Sequence, residues 1–584
     1  MKSVLKKIRN IILRYSSKLI DFIFPQNSSR RKLIKKFLIK MHLKSPYIAG
    51  YYDTWTQQQR RFPILINQSR ALLKKPLISI VVPAYNTPTA YLKDLIYSIN
   101  SQSYQNWELI LVNASSNLKS KLEIDECCNI DKRVKVISVK NSGISTNTNL
   151  GIKEATGDYI AFCDHDDILE PFALYEVVLK IIDEDAELIY TDEDKISDDG
   201  KVYFDPFFKP DWSPDLLTHV NYINHLTVVK KDLLNKVGLL NPEMDGAQDY
   251  DLLLRIVDEN PKIAHISKVI YHWRAARNST AQDFSSKKNV TNAGKRAIEQ
   301  HFERLNQIVK VTPKKNKPGF YSLAFKKVDK VSLLIMPFAS DSIMKLFIEL
   351  LFIKTDYSSV DIELIIPDGI EPRVDFDKVK VVKIDREGDY LKKATDKASS
   401  KKIVIVNRVA FPENKNWIQG LCGNLDQHHI KTVSPLIMQD DDIIDDCGLV
   451  KDSMGNYQTL FRGMDCSGLT NTFIGDANWV RDIDATNGSI VAINKKQFSL
   501  FLENYDLGIN KAIYNFSKTK DLYNVIYTDV IFNSFNINIS TKQLDSAYLN
   551  NNLIVNGDGF RIYTQESSVM NILLDIAQKE KLSI

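Results

Sequence analysis

Asp164, Asp166 and Asp167 fall within four residues of one another in YIAFCDHDDILEP, directly after the apolar run Tyr159 to Cys163. Carboxylates packed this closely repel and raise one another's pKa, so the grouping needs a cation or strong donors among its members. A buried strand that ends in three acids is therefore a candidate cation site. The competing account is an acidic cap for a helix beginning near Pro171, which explains one aspartate and not three.

The elements around the acids indicate what else meets them. The β-branched run Ile78 to Val82 lies between Pro76 and Pro83 and precedes a helical pattern from Ala90 to Gln102. Trp107 to Val112 predicts a second strand, VKVISV (134–139) a third, TNTNLGIKEA a helix, and Tyr159 to Cys163 the strand that carries the acids. Strands alternating with helices predict right-handed crossovers and a mostly parallel sheet. Ligands of such sheets bind at the carboxyl ends of the strands, where the acids and the residues after Pro83 and Val112 lie.

At 584 residues the chain exceeds a single core. The six cysteines form no CxxC pair and no Cys/His metal spacing, which favours reduced thiols in a cytosolic compartment. Charge is uneven: residues 1–44 hold thirteen Lys and Arg against the single acid Asp21, a net +12, while the whole chain is +5, so residues 45–584 sum to −7. Within that leader, Val4, Leu5, Ile8, Ile11, Ile12, Leu19, Ile20 and Ile23 recur near helical spacing among basic residues. This predicts a basic amphipathic helix on an anionic membrane surface, too charged to span a bilayer and without a cleavage site. No basic groove with interleaved aromatics follows, so nucleic acid is not expected as a partner.

The strand pattern occurs twice. VSLLIMPFA (331–339) echoes ISIVVPAYN (78–86), and DIELIIPDG (361–369) echoes NWELILVNA (106–114); Pro83 and Glu108 are 25 positions apart, Pro337 and Glu363 26. KKIVIVNRVAFP (401–412) then resembles the acidic stretch without its acids, with Asn407 in the place of Asp164 and Val409 in that of Asp166. Three echoes in one order point to duplication. The run QDDDIIDDCG (439–448) has no apparent strand leading into it and is expected to be a solvated loop.

SIVVPAYN, WELILVNAS, NSGISTNTNLGIKEATGDYIAFCDHDD, GAQDYDLLLR and VIYHWR, in that order, resemble a family 2 glycosyltransferase of the GT-A fold. The resemblance implies transfer of a sugar from a nucleotide donor to a hydroxyl with inversion. It implies that Asp164 and Asp166 match the DxD pair and hold Mg²⁺ or Mn²⁺, with His272 as a further metal or diphosphate ligand and Arg274 on phosphate oxygens. Pro83, Tyr85 and Asn86 match the loop around the nucleotide base. Asn113 stands where many members carry an acid, which leaves uridine and thymidine donors both open. Asp249 matches the general base of the ED motif, Gln248 replacing its Glu, with Asp251 as the alternative. Asp192, Glu193 and Asp194 in YTDED, and Asn224 with His225, resemble positions near sugar and acceptor; a solvated turn explains YTDED nearly as well.

The expected architecture is α/β: a basic leader (1–60), a GT-A catalytic domain (76–312), a degenerate GT-A-like domain (328–545) and a C-terminal segment (546–584). The expected function is a metal-dependent inverting glycosyltransferase, peripheral on the cytoplasmic face of the membrane. Its donor would be a UDP- or dTDP-sugar and its acceptor a lipid-linked surface glycan. The alternative is a carbohydrate-binding scaffold without activity, suggested by Asn113, Ala114 and Gln248.

Overall fold

The computed structural model describes residues 74–534, together with residue 72, apart from short interruptions of which 276–283 is the longest. The basic leader and the segment 546–584 lie outside the described residues.

Strands β1 (Ile78–Ala84), β2 (Trp107–Asn113), β3 (Val134–Ser138), β4 (Tyr159–Phe162), β5 (Ile168–Leu169), β6 (Leu188–Ser197), β7 (Tyr203–Phe207), β8 (Thr227–Lys230) and β9 (Ile263–Ala275) form one sheet. Its order is β3-β2-β1-β4-β8-β6-β9-β5, with β7 paired to β6. Strands β3, β2, β1 and β4 run parallel, and β8 is inserted antiparallel between β4 and β6. Side chains alternate along the strands. Ile80, Val82, Leu109 and Leu111 pack on one face with Leu92, Leu95 and Ile99 of the helix Thr89–Asn100. Val81, Ile110 and Ile160 pack on the other with Ile152 of the helix Ile144–Glu154 and Leu253 of the helix Gln248–Val257. Each such side chain taken fully out of water contributes about 1.5–3 kcal/mol, so both faces must be covered.

A polar clasp closes the amino end of this sheet. Ser79 and Glu108 are register partners on β1 and β2, and Ser79 Oγ donates to Glu108 at 2.6 Å. Glu108 also accepts from the Thr156 hydroxyl at 2.9 Å and from the Gly157 N–H at 3.1 Å. A Cβ on Gly157 would stand 2.5 Å from Ser79 Oγ and 2.6 Å from the Leu77 carbonyl, so only glycine lets the chain enter β4 here.

After the hairpin β10 (Lys310–Pro313) and β11 (Tyr321–Ala324), a second sheet begins. It comprises β12 (Lys330–Ile335), β13 (Asp361–Pro367), β14 (Val379–Ile384), β15 (Lys402–Val406), β16 (Ala410–Pro412), β17 (Ile430–Gln439) and β18 (Ile444–Asp446). The small pairs β19 (Leu449–Lys451) with β20 (Tyr457–Thr459) and β21 (Asn471–Thr472) with β22 (Gly475–Asp476) interrupt it, and β23 (Arg481–Ile483), β24 (Ile490–Asn494) and β25 (Tyr523–Ser534) complete it. The order β14-β13-β12-β15-β24-β17-β25-β16 repeats that of the first sheet, with β24 antiparallel where β8 is and β18 on β17 where β7 is on β6, and adds β23 on β25. The clasp repeats as well. Ser332 Oγ donates to Glu363 at 2.7 Å, the Ser399 hydroxyl at 2.9 Å, and the Ser400 N–H reaches Ser332 Oγ at 3.1 Å.

The acidic run 439–448 corrects the expectation of a solvated loop. The ten-residue strand β17 leads into it, Ile444–Asp446 pairs back as β18, and Asp445 and Asp446 are buried.

The two sheets meet through polar and aromatic contacts. Ser213 Oγ donates to Asp482 at 2.6 Å, His429 Nε2 lies 3.1 Å from Asp215, and Lys314 and Lys317 pair with Asp529 and Asp476, each at 2.6 Å. Trp479 packs edge-on against Phe207.

Candidate active site

The carboxyl edge of the first sheet gathers its acids as β4 ends. Asp164 and Asp166 are partly exposed, whereas Asp167 is buried and turned inward. Asp167 accepts from the Tyr271 hydroxyl and, at 2.8 Å, from the Arg274 N–H. None of the three caps a helix, because the following helix is Ala173–Glu184 and begins at Phe172 without a side-chain cap. The loop is thus supported from within by Asp167 and presents Asp164 and Asp166 outward.

Their electrostatics differ. Burial would raise Asp164, but the hydrogen bond and charge of His225, whose Nε2 is 3.4 Å away, hold it low. Asp166 is raised by burial and by the charge of Asp164, and Asp167 is raised further by the same causes. Among the described residues no group of three or more His, Cys, Asp or Glu side chains is arranged as a metal cage. Two carboxylates completed by substrate phosphates are nevertheless how Mg²⁺ is commonly held, so this oxygen donor pair fits a hard divalent cation.

His272 does not fit that role. Its Nδ1 is 2.5 Å from Asp194 and its Nε2 3.0 Å from Glu170, and with 2% exposure it has no lone pair directed at the cleft. Burial alone would lower its pKa, but the two carboxylates outweigh burial and raise it to about 9, so it is an imidazolium. Arg274 is likewise committed inward. Its Nε donates to the Asp166 carbonyl at 2.7 Å, its terminal nitrogens reach the Asp198 carbonyl at 3.1 Å and Asp94 at 2.8 Å, and it lies over Tyr91. It shapes the acidic loop and offers no free fork to a phosphate.

The expected base loop divides in the same way. Pro83 is inside β1, in register with Val112, instead of ending the strand. Tyr85 is 47% exposed and free to stack. Asn86 adopts a left-handed φ of 50°, and its carbonyl oxygen accepts from the Ser116 N–H at 3.0 Å while its amide donates to Ser116 Oγ at 3.0 Å. Asn113 is fully buried, donating to the Lys121 carbonyl at 3.2 Å and accepting from the Ser115 N–H at 3.2 Å. Both asparagines build the loops and do not present a free amide to a base.

Asp249 stands in the first turn of the helix Gln248–Val257. Its carboxylate accepts from the side-chain amides of Asn221, at 3.2 Å, and Asn224. Asp251, the alternative, is buried and bound by Arg255 at 2.8 Å. The YTDED acids are not a turn but the middle of β6. Asp192 lies 2.9 Å from His265, Glu193 pairs with Lys209 at 2.9 Å, and Asp194 with His272. Lys209 was not foreseen, since an isolated lysine in FFKPDW has no spacing that marks it.

An α/β domain with this strand order and an acidic loop at its carboxyl edge is of the GT-A class. Residues 79–238 match the family described as Glycosyl transferase family 2. The chain is 44% identical over 241 residues to the uncharacterized protein y4gI of Sinorhizobium fredii, a match covering 40% of this chain and 26% of that protein. It is 28% identical over 443 residues to the O-antigen biosynthesis protein RfbC of Myxococcus xanthus, covering 73% of this chain and 34% of that one. It therefore spans about a quarter to a third of these relatives' lengths. Among solved structures, S. aureus TarS 1-349 in complex with UDP-GlcNAc is similar at a TM-score of 0.32 and 19% identity, over 38% of this chain and 66% of that one.

Proposed function

We propose that the protein is an inverting glycosyltransferase that moves a sugar from a UDP- or dTDP-linked donor to a hydroxyl of a lipid-linked surface polysaccharide. The observation that carries this reading is that consecutive residues touch both halves of the chemistry: Asn224 donates to Asp249, and His225 faces Asp164. A candidate base and a candidate diphosphate site thus share one wall.

In this reading Asp249 takes the proton of the acceptor hydroxyl, whose oxygen bonds to the anomeric carbon as the bond to the diphosphate breaks and the nucleoside diphosphate leaves with the electron pair. Asp164 and Asp166 would hold Mg²⁺ or Mn²⁺, which offsets the charge developing on the leaving diphosphate. Tyr85 would stack on the base. Saccharide assembly as the setting is supported by the name of the Myxococcus relative. The basic leader supports attachment to the inner membrane face, and no helix among the described residues is long and apolar enough to cross a bilayer.

The second sheet supports a non-catalytic tandem copy. Ser79 pairs with Ile160 in the first sheet and Ser332 with Ile403 in the second, which aligns Asp164, Asp166 and Asp167 with Asn407, Val409 and Ala410. The partners of β5 and β16 align His272 with Asn533. Release of nucleotide from a panel of UDP-, dTDP- and GDP-sugars, with Mn²⁺, Mg²⁺ or EDTA and detergent-solubilised lipid-linked acceptors, tests the reading. Metal-dependent transfer abolished by Asp166→Asn supports it, and silence across the panel refutes it.

A further inference from the structure

The side-chain ammonium of Lys209 is wholly buried and points at a peptide instead of a ligand. Its Nζ donates to the carbonyl of Asn224 and, at 2.8 Å, to that of His225, and pairs with Glu193 at 2.9 Å. The Lys209 backbone N–H donates to Asp192 at 2.8 Å, and Asp192 is held by His265 at 2.9 Å. The lysine is therefore fixed at both ends. Glu193 also lies 3.8 Å from His225 Nδ1, so the same carboxylate serves the lysine and the imidazole. His225 in turn is stacked on Tyr271, whose hydroxyl donates to Asp167.

We propose that Lys209 is a positioning residue: one buried cation fixes the Asn224–His225 peptide, and through it sets Asp249 and Asp164 in place on the two sides of the cleft. The inference rests on the reading of Asp249 as base. A buried ammonium that donates to two consecutive carbonyls restrains both φ/ψ pairs of that segment. Displacement of a reacting group by an ångström costs about a hundredfold in rate. Removing the charge lets Asn224 and His225 drift together: loss of the Asn224 contact falls on turnover through Asp249, and loss of the His225 contact weakens donor binding through Asp164.

The test uses the full chain as Lys209→Met, Lys209→Arg, Asn224→Ala and the Lys209→Met/Asn224→Ala double variant, assayed with the donor that the wild type uses in the panel above. Expected are a fall in kcat of about tenfold or more for Lys209→Met and Asn224→Ala, a donor KM raised in Lys209→Met and within about twofold in Asn224→Ala, and a double variant with a kcat no lower than that of the slower single one. Lys209→Arg is expected to regain part of the loss, since a cation returns to the peptide. Unchanged kcat in Asn224→Ala, or a double variant slowed by the product of the two effects, overturns the proposal. Should Lys209→Met lose cooperative unfolding, Asn224→Ala, which removes only a partly exposed amide, decides alone. Failure of the underlying reading shows separately, as undiminished turnover in Asp249→Asn. In that event the crystal structure of Lys209→Met decides: an Asn224 amide displaced from Asp249 supports the positioning role, and an unchanged contact refutes it.

Discussion

Ser332 donates to Glu363 at 2.7 Å across two parallel strands, and the pair occupies in the second sheet the register position of Ser79 and Glu108 in the first. Glu363 is the hub of that clasp, accepting also from the Ser399 N–H at 2.6 Å and from Lys380 at 3.0 Å.

Glu363 makes stability depend on acid. Burial opposes its charge, but the bonds from Ser399, Ser332 and Lys380 win and lower it to about 2 from 4.5. A depressed carboxylate contributes stability above its unfolded value and loses it as the pH falls through the folded one, here between about 4.5 and 2. Glu363→Gln is expected to lose stability at neutral pH and to flatten the acid limb of urea-unfolding curves. A variant as stable as the wild type would show that the carboxylate is not the hub.

His272 acts in the opposite direction. It is raised from 6.5 to about 9, so its ion pairs stabilise fully below pH 6.5 and fade as the pH climbs through 9. Melting temperature is expected to decline over that interval in the wild type, and less steeply in His272→Gln. Parallel pH profiles in the two proteins would remove His272 as the cause.

Asp166 and Asp167 are expected to separate activity from stability. Asp166→Asn lowers turnover by about a hundredfold or more with little change in melting, because its carboxylate reaches the cleft. Asp167→Ala strips the acceptor from Tyr271 and from the Arg274 N–H and lowers stability by about 1–3 kcal/mol for each donor left unsatisfied. The pair Asp164→Asn and Asp166→Asn together leaves no residual transfer, since the second sheet has no acids at Asn407, Val409 and Ala410. Product from that double variant would identify a second working site.

Gly157→Ala is expected to destabilise the first sheet by more than a kilocalorie-scale propensity change, because its methyl would collide with Ser79 Oγ and the Leu77 carbonyl. Denaturant unfolding measures it, and a neutral outcome would mean that the clasp can open without loss.

Much of this was legible in the sequence where a period or a spacing carried it. The first four strands, β1 to β4, were predicted to within one or two residues, because β-branched runs bounded by proline and by turn residues fix period and ends together; β5 to β9 were not. The outward acids Asp164 and Asp166 follow from an apolar run that stops. What stayed hidden was partnership. His272, Arg274, Asn86 and Asn113 have the residue types of ligands, but each is already bound within the fold, by Asp194, Asp94, Ser116 and Lys121 respectively. A sequence shows which groups can bond and not which bonds are already made. The 439–448 run misled for a related reason, since β17 carries Thr432, Ser434 and Pro435 within its buried length and does not read as an apolar strand.

The clasp lies at the amino ends of the strands, and the acids lie at the carboxyl ends. The two sheets therefore agree and differ on two separate ledges of one shelf. At the rear ledge, serine and glutamate stand in both sheets; at the front, Asp164, Asp166, Asp167 and His272 have Asn407, Val409, Ala410 and Asn533 in their places. A scaffold built this way can lose its trade without losing its shape, and its front ledge is the place where a new trade would be written.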